Sequence, residues 1–144
     1  MVLAAMLDLW ACLRAGHHLY HTLHWQAKGP QFYGDHLLFG ELYKKIEGEI
    51  DDLAELIAGH YGSDKLDPVK AWAAAGEKIN MLVCAPDPIT IAEMLVMSAE
   101  HACEVVSGSG EAPYPAGLDN ALSGISTSHI KDLYLLKQRY GAKL

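Results

Sequence analysis

Residues 24–55 read HWQAKGPQFYGDHLLFGELYKKIEGEIDDLAE, and this stretch decides the predicted fold. The KGP break at residues 28–30 separates two helical patterns, because Gly takes left-handed backbone angles freely and Pro cannot continue a helix. His24 therefore lies in the last turn of one predicted helix, and His36, twelve residues later, lies in the first turns of the next.

The second predicted helix also carries a pair of carboxylates. Asp51 and Glu55 are spaced i, i+4, so they project from nearly the same side of that helix. Such a pair alone is typical of a solvated acidic face. Together with His24 and His36, however, the pair completes a set of two imidazoles and two carboxylates, which suits a divalent transition metal such as iron, manganese or zinc.

This stretch resembles the Dps family, the ferritin-like mini-ferritins named as DNA-binding proteins from starved cells. The family shows a helix ending in His-Trp, a Lys-Gly-Pro-like turn, a second His, a Leu-Phe-x-Glu-Leu-Tyr run and an Asp/Glu pair at i, i+4. The corresponding positions here are His24-Trp25, residues 28–30, His36, residues 38–43, and Asp51 with Glu55. The resemblance is close over residues 13–58, and beyond them only the helical layout agrees.

The resemblance implies an iron-binding protein that oxidises Fe(II) with peroxide or oxygen and stores the Fe(III) inside a hollow homo-oligomer. It implies a twelve-subunit shell built from twofold dimers. Each metal site would take histidines from one subunit and the Asp/Glu pair from its neighbour, with zinc or manganese as substitutes for iron. Trp25 would lie beside the metal, where it either quenches radicals or packs.

One position departs from the family pattern. Dps proteins usually carry a carboxylate four residues after the second His, as a ligand to a second iron, and that position is Gly40 here. The first metal position, built from His24, Asp51 and Glu55, is complete, whereas the second keeps only His36.

This departure leads to two expectations. We expect one firmly held metal and slow oxidation of Fe(II). Gly40→Asp should strengthen the second metal position at no cost to the helix, because Asp is no worse than Gly in helix propensity. Asp35 and Glu47 are the nearby alternatives for the missing ligand. The alternative function is a structural ferritin-like assembly protein whose site is degenerate, weakly metal-binding or inactive.

Hydrophobic periodicity predicts four long helices and a short one in the crossover. The long helices are expected over residues 2–28, 32–59, 88–107 and 117–140, and the short one from Pro68 to about Ala75. This layout predicts an all-α, ferritin-like four-helix bundle with a long crossover between the second and third helices, as a single domain over residues 1–144. The face of the second helix that carries Leu37, Lys44, Gly48, Asp51 and Glu55 is expected to pack on a twofold partner.

A metal site inside the bundle is a weaker alternative. Ordinary ferritins build such a site with Glu-x-x-His motifs, and this chain has none. The candidates for an internal site are His17, Glu100 and His129, with Glu47 as a further member.

Composition also limits the binding partners and the cellular location that we expect. The net charge of −7 disfavours nucleic acid, and residues 1–13 lack Lys and Arg, so DNA binding is not expected. A small basic patch near the C-terminus contains Lys131, Lys137, Arg139 and Lys143. The three cysteines, Cys12, Cys84 and Cys103, fit no zinc motif and are expected to be reduced. The apolar N-terminal segment is interrupted by Asp8, so we expect a core helix, no membrane span and a cytoplasmic location.

Overall fold

A computed structural model describes residues 1–82, 87–110 and 115–141 of the chain. Its helices are α1 (Val2–Gln26), α2 (Phe32–Tyr61), α3 (Pro68–Leu82), α4 (Pro88–Gly108) and α5 (Ala116–Tyr140), with a short 3-10 turn at Ser63–Lys65. The described ranges contain no β-strand, so the predicted all-α class is confirmed. Cys84 and Lys143 lie outside the described residues.

The predicted helix breaks coincide with glycines whose backbone leaves the helical region. Gly29 has a φ of 84° between α1 and α2, and Gly62 has a φ of 105° where α2 ends. At the start of α4, the Asp87 carboxylate accepts a hydrogen bond from the Ile89 backbone N–H at 3.2 Å, and Pro88 occupies the first turn. The sequence therefore fixes the helix ends through ordinary cap and turn chemistry.

The crossover helix is longer than predicted, since α3 continues past Ala75 to Leu82. The additional residues form a good helical sequence, and Lys78 binds Asp8 of α1 with 2.7 Å between Nζ and Oδ1. This ion pair holds α3 against α1.

The core lies where α1 packs against α2 and α4, and where α4 packs against α5. Its largest fully buried side chains are Tyr20, Met6, Leu9, Leu13, Ile46, Leu53, Ile57, Ile91, Leu95, Leu118, Leu122 and Leu136. Apolar periodicity predicts Ala92, Val96, Ala99, Cys103 and Val106 on the inward face of α4. Ala92, Ala99 and Val106 are buried as predicted, but Val96 and Cys103 are only half-buried, while Ile91 and Leu95 are fully buried. None of the helices in the described ranges combines the length and apolarity needed to cross a membrane.

Candidate metal centre

His24 and His36 form a locked pair where α1 ends and α2 begins. Their rings stack with 3.7 Å between centroids and an interplanar angle of 20°. The Nδ1 of His24 donates to the backbone carbonyl of His36 at 2.6 Å, and the Nδ1 of His36 donates to the carbonyl of His24 at 2.9 Å. A carbonyl oxygen only accepts, so Nδ1 carries a proton in each ring, and in the neutral form of the ring Nε2 keeps its lone pair. Both rings are therefore oriented in the tautomer that ligates metals through Nε2.

This arrangement follows from the helix ends. The last backbone carbonyls of a helix have no hydrogen-bond partner within the helix, and the His24 carbonyl lies in the last turn of α1. The Gly29 turn brings His36 back alongside, so its imidazole satisfies that carbonyl. The paired histidines thus close the junction of two helices as well as presenting ligands.

Gly40 lies against this pair and is itself buried. A Cβ at Gly40 would lie 3.2 Å from Nδ1 and 3.3 Å from Cε1 of His24, closer than nine in ten Cβ contacts in proteins. The expectation that a side chain here costs only helix propensity is therefore revised, because the His24 ring would have to shift by a few tenths of an ångström. Glycine at this position therefore avoids a close contact with the His24 ring, besides lacking the carboxylate that the family carries here.

The two carboxylates considered as replacements for that ligand have other partners. Asp35 accepts hydrogen bonds from Arg139 Nε at 2.9 Å and from the Tyr140 hydroxyl at 2.8 Å, which fastens the end of α5 to the start of α2. The Oε1 atom of Glu47 lies 2.9 Å from Nε2 of His17. Neither carboxylate is therefore positioned to fill the gap left by Gly40.

Asp51 and Glu55 lie on the exposed face of α2, away from the histidines of their own chain. Fifteen residues of helix separate His36 from Asp51, which is roughly 22 Å at the α-helical rise. Accordingly, within the part of the chain that the structure describes, no three or more His, Cys, Asp or Glu side chains are arranged to hold a metal. A single chain presents the imidazoles and the carboxylates at two separate places.

The internal alternative does not assemble in the described residues. His17 pairs with Glu47, and Glu100 accepts a hydrogen bond from Ser126. His129 is fully buried and pairs with Glu49, at 2.7 Å between Nε2 and Oε2. The candidates therefore have separate partners rather than a shared one.

Sequence reasoning missed the buried charge network around His129. Lys45 of α2 forms an ion pair with Asp132 of α5, whose Oδ2 is also 3.5 Å from Nδ1 of His129. The Tyr20 hydroxyl is buried nearby, and burial, followed by Asp132 and Glu49, raises its pKa. The Lys45 ammonium group thus supplies positive charge beside the Asp132 carboxylate.

An aromatic layer flanks the histidine pair. The His21 ring stacks on Tyr43 at 4.2 Å between centroids and contacts Trp25 at 3.8 Å. Tyr43 also meets the edge of His24 at 5.3 Å, while Trp25 is 65% exposed. Partial burial, followed by the neighbouring His17 and His24, lowers the pKa of His21. Trp25 thus contacts His21 in this layer, and the position of His21 on the helix did not reveal that contact.

Two curated relatives match part of the chain. The DNA protection during starvation protein of Brevibacillus brevis is 38% identical over 61 residues, which cover 42% of this chain and 38% of that protein. DNA protection during starvation protein 2 of Bacillus anthracis is 49% identical over 37 residues, covering 26% of this chain and 25% of that protein. The matches thus span less than half the length of these relatives, and no family model matches the chain.

The fold comparison covers nearly the whole chain. The X-ray structure of Dps from Thermosynechococcus elongatus matches with a TM-score of 0.78 and 21% sequence identity, covering 99% of this chain and 94% of that chain. This is a Dps-like chain. The Dps resemblance and the ferritin-like bundle predicted from the sequence are both confirmed.

Proposed function

We propose that this Dps-like chain binds Fe(II), promotes its oxidation by peroxide or oxygen, and stores the Fe(III) product inside a hollow homo-oligomer. His24 would bind one ion through Nε2 together with Asp51 and Glu55 of a neighbouring copy, and His36 would offer a second, weaker position through its own Nε2. Imidazoles suit Fe(II), and the added carboxylates stabilise the harder Fe(III) that oxidation produces. Zinc and manganese share these ligands and would compete for the site.

One observation carries the proposal: two imidazoles are held with both Nε2 lone pairs available, at a helix junction. Ligands that need no reorganisation bind more tightly, since the ordering entropy has already been lost in folding. The exposed acids Asp51 and Glu55 lie roughly 22 and 28 Å from His36 along the same helix, so only a second copy can bring them to the histidines.

The face of α2 that carries these acids fits a twofold contact. Leu37, Lys44, Gly48, Asp51 and Glu55 are all exposed in the single chain. A Cβ on Gly48 would have nothing within 4 Å, so the bare helix backbone is open to a close neighbour. A dimer through this face, repeated in a twelve-subunit shell, is the proposed assembly. Light scattering that gives a monomer of 15.7 kDa would contradict it.

Gly40 limits the proposed site to one firmly held ion. His24 with Asp51 and Glu55 supplies three ligands to the first position, whereas the second position has His36 alone. Asp35 and Glu47 have other partners, so they do not compensate. We therefore expect one tightly bound Fe(II) per site and slow oxidation.

The test is anaerobic Fe(II) titration followed by peroxide, for the wild-type protein, Asp51→Ala and the matched control Asp52→Ala. Asp52 is an adjacent, equally exposed acid that points elsewhere on α2. Asp51→Ala should weaken Fe(II) binding by about tenfold or more, and Asp52→Ala should leave it unchanged. Equal behaviour of the two variants would show that the site is elsewhere.

Gly40 also favours a second candidate function, that of a structural assembly protein with a degenerate site. This alternative expects a stable oligomer that neither binds Fe(II) at stoichiometric concentration nor accelerates its oxidation. The same titration on the assembled wild-type protein therefore separates the two functions.

A further inference from the structure

A sulfur-lined cavity lies between α1, α3 and α4, on other helix faces than the histidine pair. Its volume is about 430 Å³, and its lining includes Cys12, Met81, Met94, Met97 and His101. Three of the chain's five methionines thus meet at one cavity. Met81 and Met97 are 81% and 71% exposed, whereas Cys12 is buried. The thioethers therefore stand where solvent enters, and the thiol stands deeper.

The helix α4 supplies most of these groups through its own periodicity. Met94, Met97 and His101 are spaced i, i+3 and i+7, so they follow one face of the helix over two turns. Met81 comes from the last turn of α3 on the other side of the cavity. Thioether and imidazole groups from two helices thus line the same space.

Two carboxylates line this cavity, those of Asp8 and Glu93. The Asp8 carboxylate is occupied by Lys78 at 2.7 Å and accepts a weaker hydrogen bond from Ser98 Oγ at 3.4 Å. In residues 1–82, 87–110 and 115–141, no three or more His, Cys, Asp or Glu side chains are arranged around a potential metal position. Glu93, which is exposed, is therefore one carboxylate beside a larger set of sulfur donors, so the cavity favours a soft ion over a hard one.

The cysteine is a secondary donor rather than the main one. Burial raises the pKa of the Cys12 thiol, more than the opposing contacts from Ser98 and Lys78 lower it. A protonated thiol is a weak ligand, because the thiolate is the form that binds metals. The thioethers need no deprotonation to bind a metal, so they decide which ion fits.

We propose that this cavity binds a soft monovalent ion, Cu(I), through the thioethers of Met81, Met94 and Met97 and the imidazole of His101. Thioether ligands select Cu(I) over the harder divalent ions. Transfer of a single positive charge into a partly apolar cavity also costs less than transfer of two charges. The site is independent of the proposed iron chemistry.

The test uses assembled protein carrying His24→Ala, so that the histidine pair does not contribute, titrated with Cu(I) under anaerobic conditions against a chromophoric Cu(I) chelator. We expect one Cu(I) per chain in this background. Adding Met94→Leu and Met97→Leu together should weaken binding by at least about tenfold. Leucine keeps the volume and the apolar character and removes only the sulfur. The matched control is Met6→Leu, a fully buried methionine of the core.

X-ray absorption at the copper edge should show sulfur neighbours in the Cu(I)-loaded protein. The proposal is overturned if the double variant binds Cu(I) as tightly as its parent, or if the parent binds none. A cavity meant for an apolar molecule would give one of these results, since leucine replaces methionine without loss of apolar surface.

Discussion

Gly40→Ala tests whether glycine is needed beside the histidine pair. In the interior of a helix this change normally stabilises, by about 1 kcal/mol, because Ala loses less backbone entropy on folding. At Gly40 the new methyl group would lie 3.2 Å from Nδ1 of His24, the same atom that holds the ring in place by its bond to the His36 carbonyl. Overpacking of this kind costs about 1–3 kcal/mol. We therefore expect a net change between zero and about 2 kcal/mol of destabilisation.

The matched control is Gly124→Ala in the middle of α5, where a Cβ would meet nothing within 4 Å. This variant should be stabilised by the full difference in helix propensity between Gly and Ala, about 1 kcal/mol. Urea unfolding at one fixed protein concentration gives both values, since the stability of an oligomer depends on concentration. Equal stabilisation by the two changes would mean that the His24 ring moves freely, which would refute the packing role of Gly40.

Gly40→Asp then separates sterics from ligation, because Ala and Asp place the same Cβ against His24. Fe(II) titration should show tighter binding of a second ion in Gly40→Asp than in Gly40→Ala, owing to the added carboxylate. If the two variants bind a second Fe(II) equally, displacement of the His24 ring has cancelled the gain from the added carboxylate.

Three further predictions concern stability and DNA. Lys45→Met leaves Asp132 buried without its ammonium partner and should lower the free energy of unfolding by about 2 kcal/mol. The control Lys65→Met, at an exposed ion pair, should leave the free energy of unfolding unchanged, and urea unfolding measures both variants. Burial, followed by the hydrogen bond to Asp35, raises the pKa of Tyr140 to about 12. The folded state therefore holds this proton more tightly than the unfolded chain, so stability should fall as pH rises from about 10 to about 12, and less steeply in Tyr140→Phe. With a net charge of −7, micromolar protein should not retard plasmid DNA in a gel at physiological salt, and firm retardation would contradict this.

The fold was predictable because its signals are local and repeated. Gly29, Gly62 and the Asp87-Pro88 cap each mark a helix end that the structure reproduces within two residues of the expectation or closer. Apolar periodicity identified the buried faces of α1, α2 and α5. On α4 two apolar faces compete, Ile91 and Leu95 against Val96 and Cys103, and only packing against α1 and α5 decides between them.

The histidine pair was predictable as a pair, whereas its geometry was not. The spacing of His24 and His36 around a turn indicates proximity, but the two Nδ1-to-carbonyl bonds depend on the tertiary placement of two helix ends. Likewise, Gly40 reads as a missing ligand in the sequence, and its contact with His24 is visible only in three dimensions. The ion pair of Lys45 with Asp132 joins residues 87 positions apart, which no local pattern reveals.

The most direct measurement of the shared site is complementation between two inactive variants. His24→Ala removes an imidazole and Asp51→Ala removes a carboxylate, so each variant alone should fail to bind Fe(II) tightly. If the two chains are unfolded, mixed in equal amounts and reassembled, about one quarter of the twofold-related sites should combine intact histidines with intact acids. Recovery of about one quarter of the wild-type Fe(II) sites in the mixture, and none in either variant reassembled alone, is the predicted result. A mixture that stays as inactive as its parents would contradict a site shared between two chains.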